Sequence, residues 1–341
     1  MKKLSILSAL GLGALLTTGC GPDPKEQALN DVKTYVQTNL DALHQAAVDL
    51  RNDAPAPDAD GWNATDDAAA VAKMKEDWKK ARVAYERIEG AIAVLFPELD
   101  VSTDERYDGF IAEAPDDNLF DGEGVIGIHA VERILWSDSI PASVREFEEG
   151  LPNYRPAAFP ATQEEAAAFK DGLLARLEAD TKQMRDDFAP LELDPAAAFR
   201  GVIGSIEEQV EKVNLAATGE EESRYAQHTL ADMRANVEGG REIFKAFSPW
   251  LLGTEHGKEL DDGVKGGFDR LDAAYAAVEG DALPPVPQTW SSQNPSEADL
   301  ATPFGKLWKV VRDEADPGLE GSTAHEMNHA AEALGIPELP E

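Results

Sequence analysis

The chain predicts an all-α fold of two helical-bundle halves with no substantial sheet, and three features carry that expectation. Alanine, glutamate and aspartate are abundant, apolar residues recur three and four positions apart over long stretches, and no convincing run alternates apolar and polar residues in the two-residue period of a strand. Taken in order, the periodic segments place helices at about 25–52, 64–95, 122–137, 163–188, 195–216, 220–247, 257–279, 298–315 and 322–335. The second is the clearest. Val71, Met74, Trp78, Ala81, Tyr85, Ile88, Ile92 and Leu95 alternate three and four apart, which is a bundle seam. Proline marks the breaks, because its ring removes a backbone donor and clashes with the preceding turn. Pro55 and Pro57 separate the first two helices, Pro141, Pro152, Pro156 and Pro160 interrupt the middle, and Pro284, Pro285 and Pro287 interrupt the last third. The expected organisation is a leader at 1–19, an N-terminal bundle at 20–150 and a C-terminal bundle at 151–341, joined near 138–162.

The third helix carries the most informative stretch. Gly127, His129 and Glu132 sit in an apolar run of Val125, Ile126, Ile128, Val131, Ile134, Leu135 and Trp136. At about 100° per residue, His129 and Glu132 point the same way, on the side shared by Val125, Ile128 and Trp136. A lone carboxylate on a buried face costs several kcal/mol unless it is paired, hydrogen-bonded or bound to a cation. Compensation is therefore expected, and a metal ion is the preferred form of it. More carboxylates stand ready on other elements. Arg82, Glu86 and Glu89 form a strip beside the seam of the second helix, with an intrahelical Arg–Glu pair as the simple structural reading. Asp100, Asp104, Glu105 and Asp108 follow that helix, and Glu207, Glu208 and Glu211 precede Thr218-Gly219-Glu220-Glu221. Carboxylates with one imidazole and no sulfur suit iron, with zinc tolerated, better than copper(I).

The ends and the charge narrow the setting. Lys2 and Lys3, an apolar run from Leu4 to Leu16 and a small residue before Cys20 read as a lipoprotein signal, with acylation of Cys20. Cys20 is the only cysteine, which excludes a disulfide framework and a thiolate metal site. A periplasmic or cell-envelope protein held to the membrane through a lipid anchor is expected. With 31 basic and 65 acidic residues the formal charge is −34, a surface that repels nucleic acid and gathers cations.

These residues also carry a resemblance. Gly127-x-His129-x-x-Glu132 followed by Leu135-Trp136 resembles the GxHxxE signature of the imelysin family, in particular its EfeO/EfeM iron-uptake branch. Tyr85 through Glu89, Leu99 through Asp108, Thr218 through Tyr225 and Ala235 through Gly239 resemble further stretches of that branch, in the same order, over about residues 70 to 245. The resemblance implies an all-helical protein outside the cytoplasmic membrane that binds iron, ferrous or ferric, and serves iron-transport machinery in the envelope. It implies His129, Glu132, Glu86, Glu89, Asp104 and Glu211 as metal ligands. Three positions depart from the pattern: Tyr85 stands for Trp, Ile128 for Phe, and His228 is displaced by one place. With no copper-type region legible, the shorter EfeM form is expected.

Three competing readings are also open. Imelysins are also classed as metal-dependent peptidases, in which Glu86 or Glu89 would act as base, but no nucleophile is evident. His325-Glu326-Met327-Asn328-His329 spells the HExxH zinc-protease motif, yet Glu332 and Glu338 do not stand at the usual spacing for a third ligand. Trp250, Trp290 and Trp308 would serve a glycan-binding module. The preferred expectation is a binding protein with no catalytic residues.

Overall fold

The computed structural model describes residues 23–63, 65–337 and 339. The leader and the acylation site at Cys20 lie outside these residues. The described chain is helical without a strand, as expected.

Helix α1 (Pro24–Asp53) starts at Asp23, whose carboxylate accepts the amide of Lys25, with Pro24 in the first turn where no donor is needed. It buries Val32, Val36, Leu40, Leu43, Ala47 and Leu50 at helical spacing. Helix α2 (Ala68–Glu86) returns along it, Lys73 meeting Asp53 at 2.9 Å. The single helix expected over 64–95 is broken here. Backbone helicity stops at Glu86 and resumes as α3 (Glu89–Leu95), with the seam residues Met74, Trp78, Ala81, Tyr85, Ile88 and Ile92 buried across the break.

Three short helices that periodicity did not reveal follow or flank the site: α4 (Pro97–Asp104), α5 (Tyr107–Glu113) and α7 (Ala142–Glu149). Between them α6 (Gly127–Leu135) is buried along its whole length. Helix α8 (Gln163–Ala168) passes through a π turn (Phe169–Leu173) into α9 (Leu174–Phe188). Then come α10 (Pro195–Leu215), α11 (Thr229–Leu251), α12 (Gly257–Ala276), α13 (Glu297–Leu300), α14 (Pro303–Ala315) and α15 (Thr323–Leu334). The helix expected from 220 begins only at Thr229, because residues 216–228 form a loop that the site uses.

One continuous apolar core joins these elements. Helix α1 packs on α2, α9 and α11, α10 packs on α3, α11 and α14, and α12 packs on α15. Helices from before and after residue 150 therefore touch directly, and the polar centre lies where they do. No described helix is long and apolar enough to cross a membrane.

Candidate metal centre

Close backbone approaches set the position of each functional side chain. Gly127 opens α6 at φ +85°, and a Cβ there would stand 2.5 Å from the Thr103 carbonyl oxygen, so only glycine lets α6 start against α4. Trp78 Nε1 donates to the Ile128 carbonyl at 2.8 Å and fixes the same turn to α2. The break after Glu86 is held by α11. Asn236 Nδ2 donates to the freed Glu86 carbonyl at 2.7 Å and to Glu89 Oε2 at 2.8 Å. Glu238 takes Arg87 bidentately, and Gly239 leaves room for the Arg87 carbonyl, which a Cβ would meet at 2.1 Å. The interruption thus turns Glu86 and Glu89 toward one centre.

His129 and Glu132 are both buried, 1% and 0% exposed, and face each other. His129 Nδ1 lies 2.8 Å from Glu132 Oε2, while Glu132 Oε1 accepts the amides of Tyr225 at 2.9 Å and Ala226 at 2.8 Å. Both oxygens of Glu132 are occupied by protein donors. The carboxylate therefore fixes the imidazole, with Nδ1 as the donor, and turns Nε2 outward. His129 Nε2 makes no hydrogen bond and stands 3.5 Å from Asp104 Oδ1. Burial, then the Arg82 guanidinium, pushes the imidazole pKa down, so Nε2 presents a lone pair.

That lone pair faces acids. Asp104, His129 and Glu222 can bring ligand atoms within 4.8 Å of one another, and so can Glu86, Glu89, Asp104 and Glu222. Arg82, fully enclosed, pairs with Asp104, Glu86 and Glu222 and lies 3.5 Å from Asp232. Lys212 Nζ reaches Glu89 at 2.9 Å, Glu222 at 2.9 Å and Glu86 at 3.2 Å. Burial pushes the Glu86 and Asp104 carboxyls well above the usual range despite Arg82. Glu222 is the opposite case. Burial would raise it, but Lys212 and then Arg82 outweigh this and hold it well below. A cleft of about 360 Å³ leads from solvent to Asp104, Lys212 and Glu222 past Asp100, Glu105, Arg106, Glu208 and Glu211. Asp100 accepts the Tyr85 hydroxyl, and burial pushes its carboxyl up to about 7.

A second set of buried pairs pins the 216–228 loop that supplies Glu222 and the two amides. Tyr225 OH donates to Glu148, which also binds Arg133 at 2.9 Å, and Arg224 binds Asp108 at 2.5 Å. Ser223 and His228 hold Asp232, and Asp232 backs Arg82. The displaced histidine of the loop, His228, thus stacks edge-on against Trp78 at 5.7 Å behind the centre, and is not among the grouped ligand atoms.

Of the six residues expected as ligands, Glu86, Glu89 and Asp104 converge with Glu222, and His129 joins Asp104 and Glu222 in a second, overlapping group. Glu132 stands behind His129, and Glu211 lies exposed on the cleft wall. Sequence reasoning missed Glu222, Lys212 and Asp232. Glu222 directly follows the Thr-Gly-Glu-Glu stretch and Lys212 follows Glu211, which were the available signals. The terminal HExxH pair is separate: His325 Nδ1 meets the Pro317 carbonyl, His329 faces Glu332 at 3.5 Å, and no third ligand gathers there among the described residues.

Comparison with known proteins places the centre in context. A family model described as Imelysin matches residues 28–303. An Efem/EfeO family lipoprotein of Staphylococcus haemolyticus is 28% identical over 200 residues, 58% of this chain and 56% of that protein. The iron uptake system component EfeM of Bacillus subtilis is 28% identical over 183 residues, 53% of this chain and 37% of that protein. The chain thus spans about half the length of the first and less of the second. An imelysin-like protein from Psychrobacter arcticum matches over 92% of this chain and 93% of its own, with TM-score 0.51 and 12% identity, which is a likeness of fold.

Proposed function

This chain belongs to the imelysin family, and from that premise we propose that it binds an iron ion at Glu86, Glu89, Asp104, His129 and Glu222 and hands it to an iron-transport system of the cell envelope. The observation that carries the reading is the buried His129 Nε2, oriented by Glu132, without a hydrogen bond and facing acids. An orphaned buried nitrogen is expensive unless it receives a partner on loading. The donors fall in two overlapping groups that share Asp104 and Glu222, carboxylates with one imidazole and no thiolate, which favours iron and tolerates zinc. In this reading Glu132 positions His129, Glu211 lies on the entry path, and a lipid on Cys20 keeps the protein at the membrane surface. The relatives' names support an iron-uptake role.

The test is calorimetric titration of the tag-free protein with ferrous iron under anaerobic conditions and with a ferric chelate, beside His129→Ala and Glu222→Ala. About one ion per chain is expected for the parent and a large loss in both variants. Equal uptake by all three removes this site. The peptidase designation of the matched family supports a second reading. Chelator-sensitive cleavage of an unstructured protein substrate, abolished in Glu132→Ala, would establish that reading instead.

A further inference from the structure

We propose that Lys212 is the centre's built-in counter-cation: its ammonium holds the place of the incoming ion, and loading exchanges the two as Lys212 swings to the cleft wall. This inference rests on the metal-binding reading above.

The ammonium touches Glu86, Glu89 and Glu222, three of the four carboxylates whose oxygens converge to metal-ligating range. The four-acid group that suits a metal ion is thus the one Lys212 neutralises. A metal ion cannot share them with the ammonium, because two cations about 4 Å apart in a poorly solvated site repel by several kcal/mol. One cation has to leave. Arg82 cannot: it is 0% exposed, and Glu86, Asp104, Glu222 and Asp232 enclose it. Lys212 can. It lines the cleft, its stem has four rotatable carbons, and the cleft wall carries Asp100, Glu208 and Glu211. Glu208 stands one turn before Lys212 on α10, the spacing at which a glutamate and a lysine meet on a helix surface.

Two features separate this arrangement from an ordinary buried ion pair. Three acids converge on one ammonium where one would suffice to keep it charged, and His129 Nε2 waits beside them without a partner. Exchange also explains how such a site stays folded before loading. Among the described residues, Arg82 and Lys212 are the arginine and lysine side chains paired with Glu86, Glu89, Asp104, Glu222 and Asp232, and removing Lys212 without replacement would leave still more acid uncompensated. The resident ammonium weakens metal binding by competing for the acids. It favours multivalent ions, which return more charge than is lost, and it helps release by coming back.

The experiment compares the chelator-stripped full chain with Lys212→Met and Lys212→Gln. Ferrous iron is titrated anaerobically by calorimetry, and the acetylation rate of Lys212 in the parent is followed by mass spectrometry. Both variants are expected to bind iron at least about tenfold tighter than the parent, a change of about 1.4 kcal/mol or more. Stripped, they should melt below the parent. In the parent, Lys212 should acetylate several-fold faster once iron is loaded. If the parent binds iron while both variants bind it no tighter, or Lys212 reactivity is unchanged on loading, the exchange is refuted and the metal site stands. If the parent binds no iron, the metal reading fails and this one with it. Should the variants fail to fold, the parent's acetylation rate alone decides.

Discussion

Replacing Glu132 with glutamine tests the orienting role of that carboxylate with almost no change in shape. In the parent, Glu132 Oε1 accepts two backbone amides and Oε2 faces His129 Nδ1. Glutamine keeps one acceptor and introduces a donor. If its amide nitrogen faced the loop, two backbone N–H groups would lose their acceptor, at roughly 1–3 kcal/mol each. Turned the other way, the nitrogen donates to His129 Nδ1, and the imidazole must carry its proton on Nε2. The second arrangement preserves more hydrogen bonds and should win. It removes the lone pair that faces Asp104. We therefore expect Glu132→Gln to fold, to lose about 1–3 kcal/mol of stability because the two amide bonds are no longer made to a charged acceptor, and to bind ferrous iron about 10- to 100-fold more weakly, the range for losing a group that orients a ligand histidine. Urea unfolding gives the first quantity and anaerobic calorimetry the second. Iron affinity within about twofold of the parent would refute the claim that Glu132 governs the His129 tautomer.

Three further outcomes follow from the same geometry. Gly127→Ala combines a left-handed backbone with a Cβ 2.5 Å from the Thr103 carbonyl, so α6 must shift; a loss of about 2–4 kcal/mol in urea unfolding and weakened iron binding are expected. Asp100, held up at about 7 against an ordinary 3.8, keeps its proton in the folded chain where the unfolded chain has released it. Its contribution to stability is therefore present at pH 4 and lost as pH rises toward 7. Thermal melts of the stripped protein across that range should fall more steeply with pH than those of Asp100→Asn, by roughly 1–2 kcal/mol after solvent screening at the cleft. Double replacement of His325 and His329 by alanine should leave high-affinity iron uptake unchanged, since no group of three ligand atoms gathers at α15 among the described residues; loss of uptake in calorimetry would move the site there.

Local pattern was enough for most helices, and it failed where distant contacts override it. The seam from Val71 to Leu95 is periodic throughout, and nothing in it announces the interruption at Arg87 and Ile88. That break exists because Asn236, Glu238 and Gly239, some 150 residues on, satisfy the freed carbonyl, pair Arg87 and admit its backbone. Residues 220–228 likewise read as the start of a helix, since glutamates and alanines favour one. It is held open by buried pairs of Tyr225 with Glu148 and Arg224 with Asp108. The short helices α4, α5 and α7 span two turns or so, too few for a period to register.

What the amino-acid order determined was the helical class, the buried face of α6 and the pairing of His129 with Glu132, because a fixed rotation per residue places neighbours three apart on one side. What only the tertiary structure decided was the division of labour at the centre. Lys212 and Glu222 lie more than a hundred residues from Glu86 and Glu89, so their sequence neighbours suggest no more than a solvated edge. Helix packing then buries these distant charges in one poorly solvated space, where each must find an opposite charge or a donor. That demand assigns Glu132 to the imidazole and the loop amides, and sets Lys212 among the acids.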